Sequence, residues 1–276
     1  MSLANTISSA VPGSPSAGIR ALARFGFAAK GIVYILMGLL ALLAATGQQG
    51  GKTADKEQAV QTLQALPGGQ VLLGLIAFGL LGYIIWRFTQ AVRDTENKGS
   101  DPKGLGRRLG YASSGLVYTG VAWFAAQLAL NGSADKGGNT QQGLVAKVLN
   151  WPAGDWLIII MGLIIIGTGL YQVYRAYSGS FSKHVNDSGL PSNQQQIVYR
   201  TGQLGYTARG IVLGIIGYFF IQAGRQHRAS AVGTTDEAFD FLAAMGPMAL
   251  AVVALGLMAY GIYMLVRAKY PILNGI

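Results

Sequence analysis

The sequence predicts an all-α integral membrane protein: six transmembrane helices laid out as three parallel helix hairpins in a pseudo-threefold arrangement, with both termini cytoplasmic. Three observations predict it. First, one fingerprint occurs three times, as Arg24-Phe25-Gly26-Phe27-Ala28-Ala29-Lys30-Gly31-Ile32-Val33-Tyr34, as Arg108-Leu109-Gly110-Tyr111-Ala112-Ser113-Ser114-Gly115-Leu116-Val117-Tyr118, and as Gln203-Leu204-Gly205-Tyr206-Thr207-Ala208-Arg209-Gly210-Ile211-Val212-Leu213. A fixed self-similar unit is the signature of a repeat architecture. Second, 51% of the 276 residues are hydrophobic and 12% are charged, with mean hydropathy +0.38, values that belong to a multispanning membrane protein. Third, fifteen of the 21 Lys and Arg residues fall on one side of the inferred spans, leaving Lys52, Lys56, Lys136, Lys147, Arg225 and Arg228 on the other. The richer side is the cytoplasmic one.

In order along the chain, residues 1–19 are rich in Ser, Ala, Gly and Pro and read as a flexible tail. The first span runs from Phe25 to Thr46, about 22 residues or roughly 33 Å of helix, enough to cross a bilayer. A polar loop follows, with a short helix of apolar period Ala59, Leu63, Leu66 that ends at Pro67-Gly68-Gly69. The second span is 70–90. Spans at 109–130 and 156–176 enclose a short helix at Thr140–Leu149 and the break Trp151-Pro152. Spans at 204–223 and 248–267 enclose one at Thr235–Met245 broken by Gly246-Pro247. The repeats are therefore 20–95, 104–180 and 199–270 within one membrane domain. An even number of spans per unit returns each copy to the membrane in the same orientation, which makes the repeats parallel about an axis along the membrane normal.

The second half of the unit repeats as well: Gly79, Tyr83, Trp86 and Arg87; Gly167, Tyr171, Tyr174 and Arg175; Gly256, Tyr260 and Tyr263, with the third arginine delayed to Arg267. Gly26, Gly31, Gly110, Gly115, Gly205 and Gly210 sit where small residues let helix backbones approach in lipid. The first helix of each pair, small-residue rich, is expected near the axis and the second outside it.

A net charge of +10 suggests nucleic acid for a soluble domain, but no basic segment here is long enough to form a reader, and the charge lies in short joints. There is no cysteine, hence no disulfide, thiolate metal site or cysteine nucleophile. No Asp or Glu lies inside a span, which argues against a carboxylate proton relay. His184 and His227 fall on opposite sides of the membrane and cannot share a metal; Ser230, His227 and Asp236 are crowded into one loop, unlike a triad assembled from separate elements. No catalytic residues, metal site or cofactor are expected.

Two polar constellations remain. Lys30, Ser114 and Arg209 occupy one repeat position near the cytoplasmic end of the first helices, while Arg87, Arg175 and Arg267 end the second ones. Together they read either as a basic cluster for an anion or lipid headgroup, or as ordinary positive-inside anchoring. Gln127 and Gln222 occupy another shared position and read either as an axial polar pair or as interhelical packing glue. The aromatic residues Tyr83, Tyr171 and Tyr260, with Trp86, Tyr174 and Tyr263, fit an interfacial belt.

The three fingerprints, with proline breaks between the helices of each pair, resemble the bacterial membrane family catalogued as domain of unknown function 1206, whose members consist of three copies of a transmembrane helix pair. The resemblance covers about residues 20–270 and implies a multi-pass protein of the bacterial inner membrane, with no activity to carry over. Gln203 and Leu213 depart from the Arg and Tyr of the other copies. The function expected is non-enzymatic: a structural or accessory subunit whose partners are membrane lipids and other membrane proteins or further copies of itself. The alternative is a channel or facilitator for a small solute along the axis.

Overall fold

The computed structural model describes residues 17–47, 56–64, 68–93, 101–133, 138–179, 181 and 191–270. They form nine α-helices: α1 (Ala17–Ala45), α2 (Lys56–Gln64), α3 (Gly69–Arg93), α4 (Pro102–Asn131), α5 (Gly138–Leu149), α6 (Gly154–Tyr177), α7 (Ser192–Gln226), α8 (Thr235–Ala244) and α9 (Pro247–Lys269). Helix α1 starts at Ala17, inside the segment read as a tail; residues 1–16 lie outside the described residues.

Local chemistry sets the boundaries. The Asp101 side chain accepts from the Gly104 amide at 3.1 Å and Pro102 takes the first helical position, so α4 starts there. It ends at Gly132, which adopts the left-handed backbone that a C-cap requires. Thr234 and Glu237 form a reciprocal capping box at the head of α8. Pro247 opens α9 directly after Gly246, whose φ of 128° excludes most other residues.

Helices α1, α3, α6, α7 and α9 are long and apolar enough to cross a membrane. Helix α4 has the length but is diluted by Ser113, Ser114, Thr119, Gln127 and several glycines, so five spans meet the criterion where the repeat predicts six. Their outer faces expose Val71, Phe78, Leu116, Leu163, Ile164 and Val252, each more than half accessible. An apolar surface this extensive is matched to lipid. Thr89, Thr119, Thr168, Thr201 and Thr207 return their hydroxyls to the carbonyl four residues earlier, which satisfies them inside the helix.

The long helices pack in the order α4, α3, α1, α9, α7, α6. Each first helix thus neighbours second helices, and α3 and α9 each bridge two first helices. The expectation of an inner ring of first helices inside an outer ring of second ones is not met. The second helices α3 and α9 share the core with the first ones, with Leu73, Leu80, Tyr83, Leu250 and Leu257 all buried, while α6 buries little beyond Ile158 and Ala176. Helices α1 and α3, and α7 and α9, close as hairpins, whereas no packing interface joins α4 to α6.

Glycine sets how closely the repeats meet. A Cβ added at Gly31 would lie 2.8 Å from the Gly261 carbonyl oxygen across α1 and α9; one at Gly210 or Gly217 would lie 2.7 Å from the Gly169 or Gly162 oxygen across α7 and α6. Gly115 faces the Phe88 ring at 3.1 Å, and Gly26 and Gly205 face Tyr83 and Tyr260 inside their own hairpins. Of the six fingerprint glycines only Gly110 has nothing within 4 Å. The short helices rest on the bundle ends: α2 inserts Val60 and Leu63, α8 inserts Ala238, Phe239 and Leu242, and α5 packs Val145 and Leu149 against Ile158 and Phe220.

Candidate functional site

The repeat position that carries Lys30, Ser114 and Arg209 converges inside the bundle. Lys30 is 1% exposed. It donates one hydrogen bond, from Nζ to the Tyr83 hydroxyl at 2.8 Å. Its ammonium lies 4.5 Å from the Tyr83 ring centroid, 4.8 Å from that of Tyr118, 5.6 Å from Tyr260 and 5.9 Å from Tyr34. Each contact of this kind contributes about 0.5–2 kcal/mol, and Tyr83 and Tyr260 project from the second helices, so the cage needs α1, α3, α4 and α9 together.

A second cation shares the Tyr83 hydroxyl. Arg87 donates to it through Nε at 2.8 Å and to Gln90 Oε1 through Nη1 at 2.8 Å. Ser114 Oγ completes the arrangement 3.0 Å from the same phenol oxygen. A third cation closes the other flank: Arg209 donates through Nη1 to the Tyr260 hydroxyl at 2.6 Å, and its guanidinium stands over the Tyr260 and Tyr34 rings that Lys30 also faces. Arg87 and Arg209 are half-buried where Lys30 is fully enclosed.

No Asp or Glu occurs in α1, α3, α4, α7 or α9. Three cationic side chains therefore meet in a low-dielectric interior, with phenols and the Gln90 amide as their hydrogen-bond partners. Phenol rings offset part of the loss of hydration but supply no net negative charge. The Tyr118 hydroxyl, on a buried ring beside Lys30, has no hydrogen-bond partner among the described residues. An unsatisfied donor next to cations with spare N–H groups is the arrangement that an anion would complete.

The remaining arginines of the cluster are distributed. Arg175 stands over the Tyr206 ring at 5.1 Å and Arg267 over Phe27 at 4.5 Å. The Gln127 and Gln222 pair is not brought together: they lie on α4 and α7, which share no packing interface, and Gln222 bonds along its own helix to Tyr218 and Gln226. His227 meets Asp155 at 2.7 Å, tying α7 to α6; His184 lies outside the described residues. The aromatic belt divides. Tyr83, Trp86, Tyr260 and Tyr263 are buried, while Tyr171 and Tyr174 are exposed. A groove of about 590 Å³ on α7 and α9, bordered by Arg200, Leu204 and Leu255, includes no residue of the cluster.

Two features escaped sequence reasoning. Tyr34 and Tyr118 end the first two fingerprints, and their recurrence four residues after Lys30 and Ser114 was the available signal for a shared wall. The arginine that opens the first two fingerprints caps a helix of the preceding repeat, taken in cyclic order. Arg24 donates to the Ala268 and Lys269 carbonyls of α9 at 2.9 and 3.0 Å, and Arg108 to the Ala91 and Val92 carbonyls of α3 at 2.7 and 3.0 Å. Cations at helix C-termini satisfy orphan carbonyls and complement the dipole. Repeat 3 carries Gln203 at this position.

An all-helical bundle of tandem helix pairs, apolar outside and cationic at a buried point, defines a multispanning membrane protein built by internal repetition. The family model described as Domain of Unknown Function (DUF1206) matches it three times, over residues 25–94, 109–179 and 204–271, and the chain belongs to that family. It is similar to Uncharacterized protein YxxB of Bacillus subtilis (strain 168), 36% identical over 254 residues that span 91% of each chain. No solved structure matches it.

Proposed function

We propose that this is a non-enzymatic membrane protein that holds an anionic group, either a lipid headgroup or free phosphate, at the Lys30, Arg87 and Arg209 cluster. Through that contact it would serve as a structural or accessory subunit among lipids and other membrane proteins. The observation that carries the reading is three converging cations beside the orphaned Tyr118 hydroxyl, in helices without a carboxylate. An anion there relieves mutual repulsion, accepts from Tyr118 and restores neutrality to a buried site. In the same reading α4 is the sixth span, the repeats surround a pseudo-threefold axis, and both termini face the cytoplasm of a bacterial inner membrane. The cyclic use of Arg24 and Arg108 supports the symmetry, and the Lys and Arg bias supports the orientation.

The test is thermal unfolding of delipidated protein in a neutral detergent, titrated with inorganic phosphate and separately with phosphatidylglycerol. A ligand at about 100 times its Kd stabilises by about 2.7 kcal/mol. The expected result is a rise in midpoint with one or both anions, absent in the Lys30→Met, Tyr118→Phe double variant. A midpoint indifferent to both, with no lipid retained in native mass spectrometry, sinks the proposal.

A further inference from the structure

Repeats 1 and 3 close their hairpins through the same three contacts. Gly26 and Gly205 receive Tyr83 and Tyr260, where an added Cβ would lie 2.6 Å and 2.5 Å from the tyrosine backbone. Gly79 and Gly256 receive Ala29 and Ala208, at 2.7 and 2.5 Å between Cβ positions. The tyrosine hydroxyl then accepts from the cation at the shared repeat position, Lys30 to Tyr83 and Arg209 to Tyr260.

In repeat 2 all three contacts are unmade: the glycines and Tyr171 are present, while Ser113 and Ser114 stand at the alanine and cation positions. Gly110 and Gly167 have nothing within 4 Å. Ser113, the counterpart of buried Ala29 and Ala208, is exposed, and Tyr171 is 46% exposed where Tyr83 and Tyr260 are 0% and 2%. Ser114 spends its hydroxyl on Tyr83 of the neighbouring repeat. The unmade contacts all belong to α4 and α6, consecutive long helices in the chain that end the packing order on either side and share no interface among the described residues.

We propose that the α4–α6 seam is a lateral gate: α4 and α6 close on each other in the geometry of the other two hairpins, Tyr171 seating on Gly110 and Ser113 on Gly167, with the Tyr171 hydroxyl reaching Ser114. The structure is then the open state, and closure completes the third wall around the cationic cluster. Complementarity selects this occupant of the seam over any other, since each face carries the knob or the hole that its counterpart pair uses elsewhere in the same molecule. Two packings of one element separated by a small free energy are the substance of a switch. The inference stands whether or not an anion binds.

The chain has no cysteine, so paired thiols report only the engineered sites. Ser113→Cys with Gly167→Cys is oxidised in the intact membrane beside Ala29→Cys with Gly79→Cys, which marks a closed hairpin and whose Cβ positions, 2.7 Å apart, reach disulfide spacing once the helices part by about 1 Å. The expected result is an intramolecular crosslink in both, with that of the seam pair lost when Gly110→Leu is added to block the tyrosine seat. A seam pair that stays reduced while the control oxidises overturns the gate, as does a crosslink found only between two copies, which would assign the seam to a swapped dimer. A crosslink indifferent to Gly110→Leu would also overturn it.

Discussion

Lys30 shows how far one side chain can carry a functional argument. Its position in the fingerprint was legible, and so was its kinship with Ser114 and Arg209, because equivalent positions in parallel repeats must approach a common point. Burial was not legible: a lysine near a helix end is equally able to snorkel, and only the enclosing rings of Tyr83, Tyr118 and Tyr260 decide against it. A buried cation without a counter-charge is costly, and replacing such groups by apolar ones of similar volume is often neutral or stabilising by about 1–4 kcal/mol. Lys30→Met is therefore expected to raise the unfolding midpoint of delipidated protein while removing its response to anions. A lysine held only for packing would give the opposite, a lower midpoint with no change in response. Tyr118→Phe removes the orphaned hydroxyl and should leave the delipidated midpoint nearly unchanged while weakening the anion response.

At the scale of the helices, glycine placement separates two kinds of contact that look alike in sequence. Gly210 faces the Gly169 carbonyl across α7 and α6, so Gly210→Val should cost about 1–3 kcal/mol as overpacking forces backbones apart. Gly110 occupies the equivalent of Gly26 yet faces open space, so Gly110→Ala is expected to be neutral or stabilising by up to about 1 kcal/mol through helix propensity alone. Thermal unfolding of the two variants side by side checks the contrast. The apolar runs, five of which meet the criterion for a membrane span, could be read from periodicity and run length. The neighbour of each span could not, because lipid and helix are both apolar and hydropathy does not tell one from the other. Arg24 and Arg108 illustrate the same limit: in the sequence they entered only a count of charges, and packing shows that they cap α9 and α3.

For the whole molecule, repetition predicts more than it guarantees. Three equivalent fingerprints led to three equivalent hairpins, and two formed. The departures at Gln203 and Leu213 lie in repeat 3, whereas the unmade hairpin is repeat 2, which carries Ser113 and Ser114 where the closed hairpins have an alanine and a cation. The orientation inferred from the Lys and Arg bias can be checked with a membrane-impermeant maleimide. Ser133→Cys, after α4, should label in intact cells, and Ser192→Cys, at the head of α7, only after permeabilisation. Labelling of both in intact cells would overturn the assignment of the termini.

The capping of α9 by Arg24 joins the first span to the last, and the glycine faces of Gly31 and Gly261 meet at the same interface. A ribosome delivers α1 long before α9, so during synthesis one flank of the first helix waits in the membrane with its close-packing surface uncovered and its arginine without a carbonyl to hold. The nascent chain would need a temporary neighbour, lipid or insertion machinery, until the final span arrives. Truncations that end before Pro247 should accordingly persist as substrates for membrane proteases, with a pulse-chase half-life far shorter than that of the full chain.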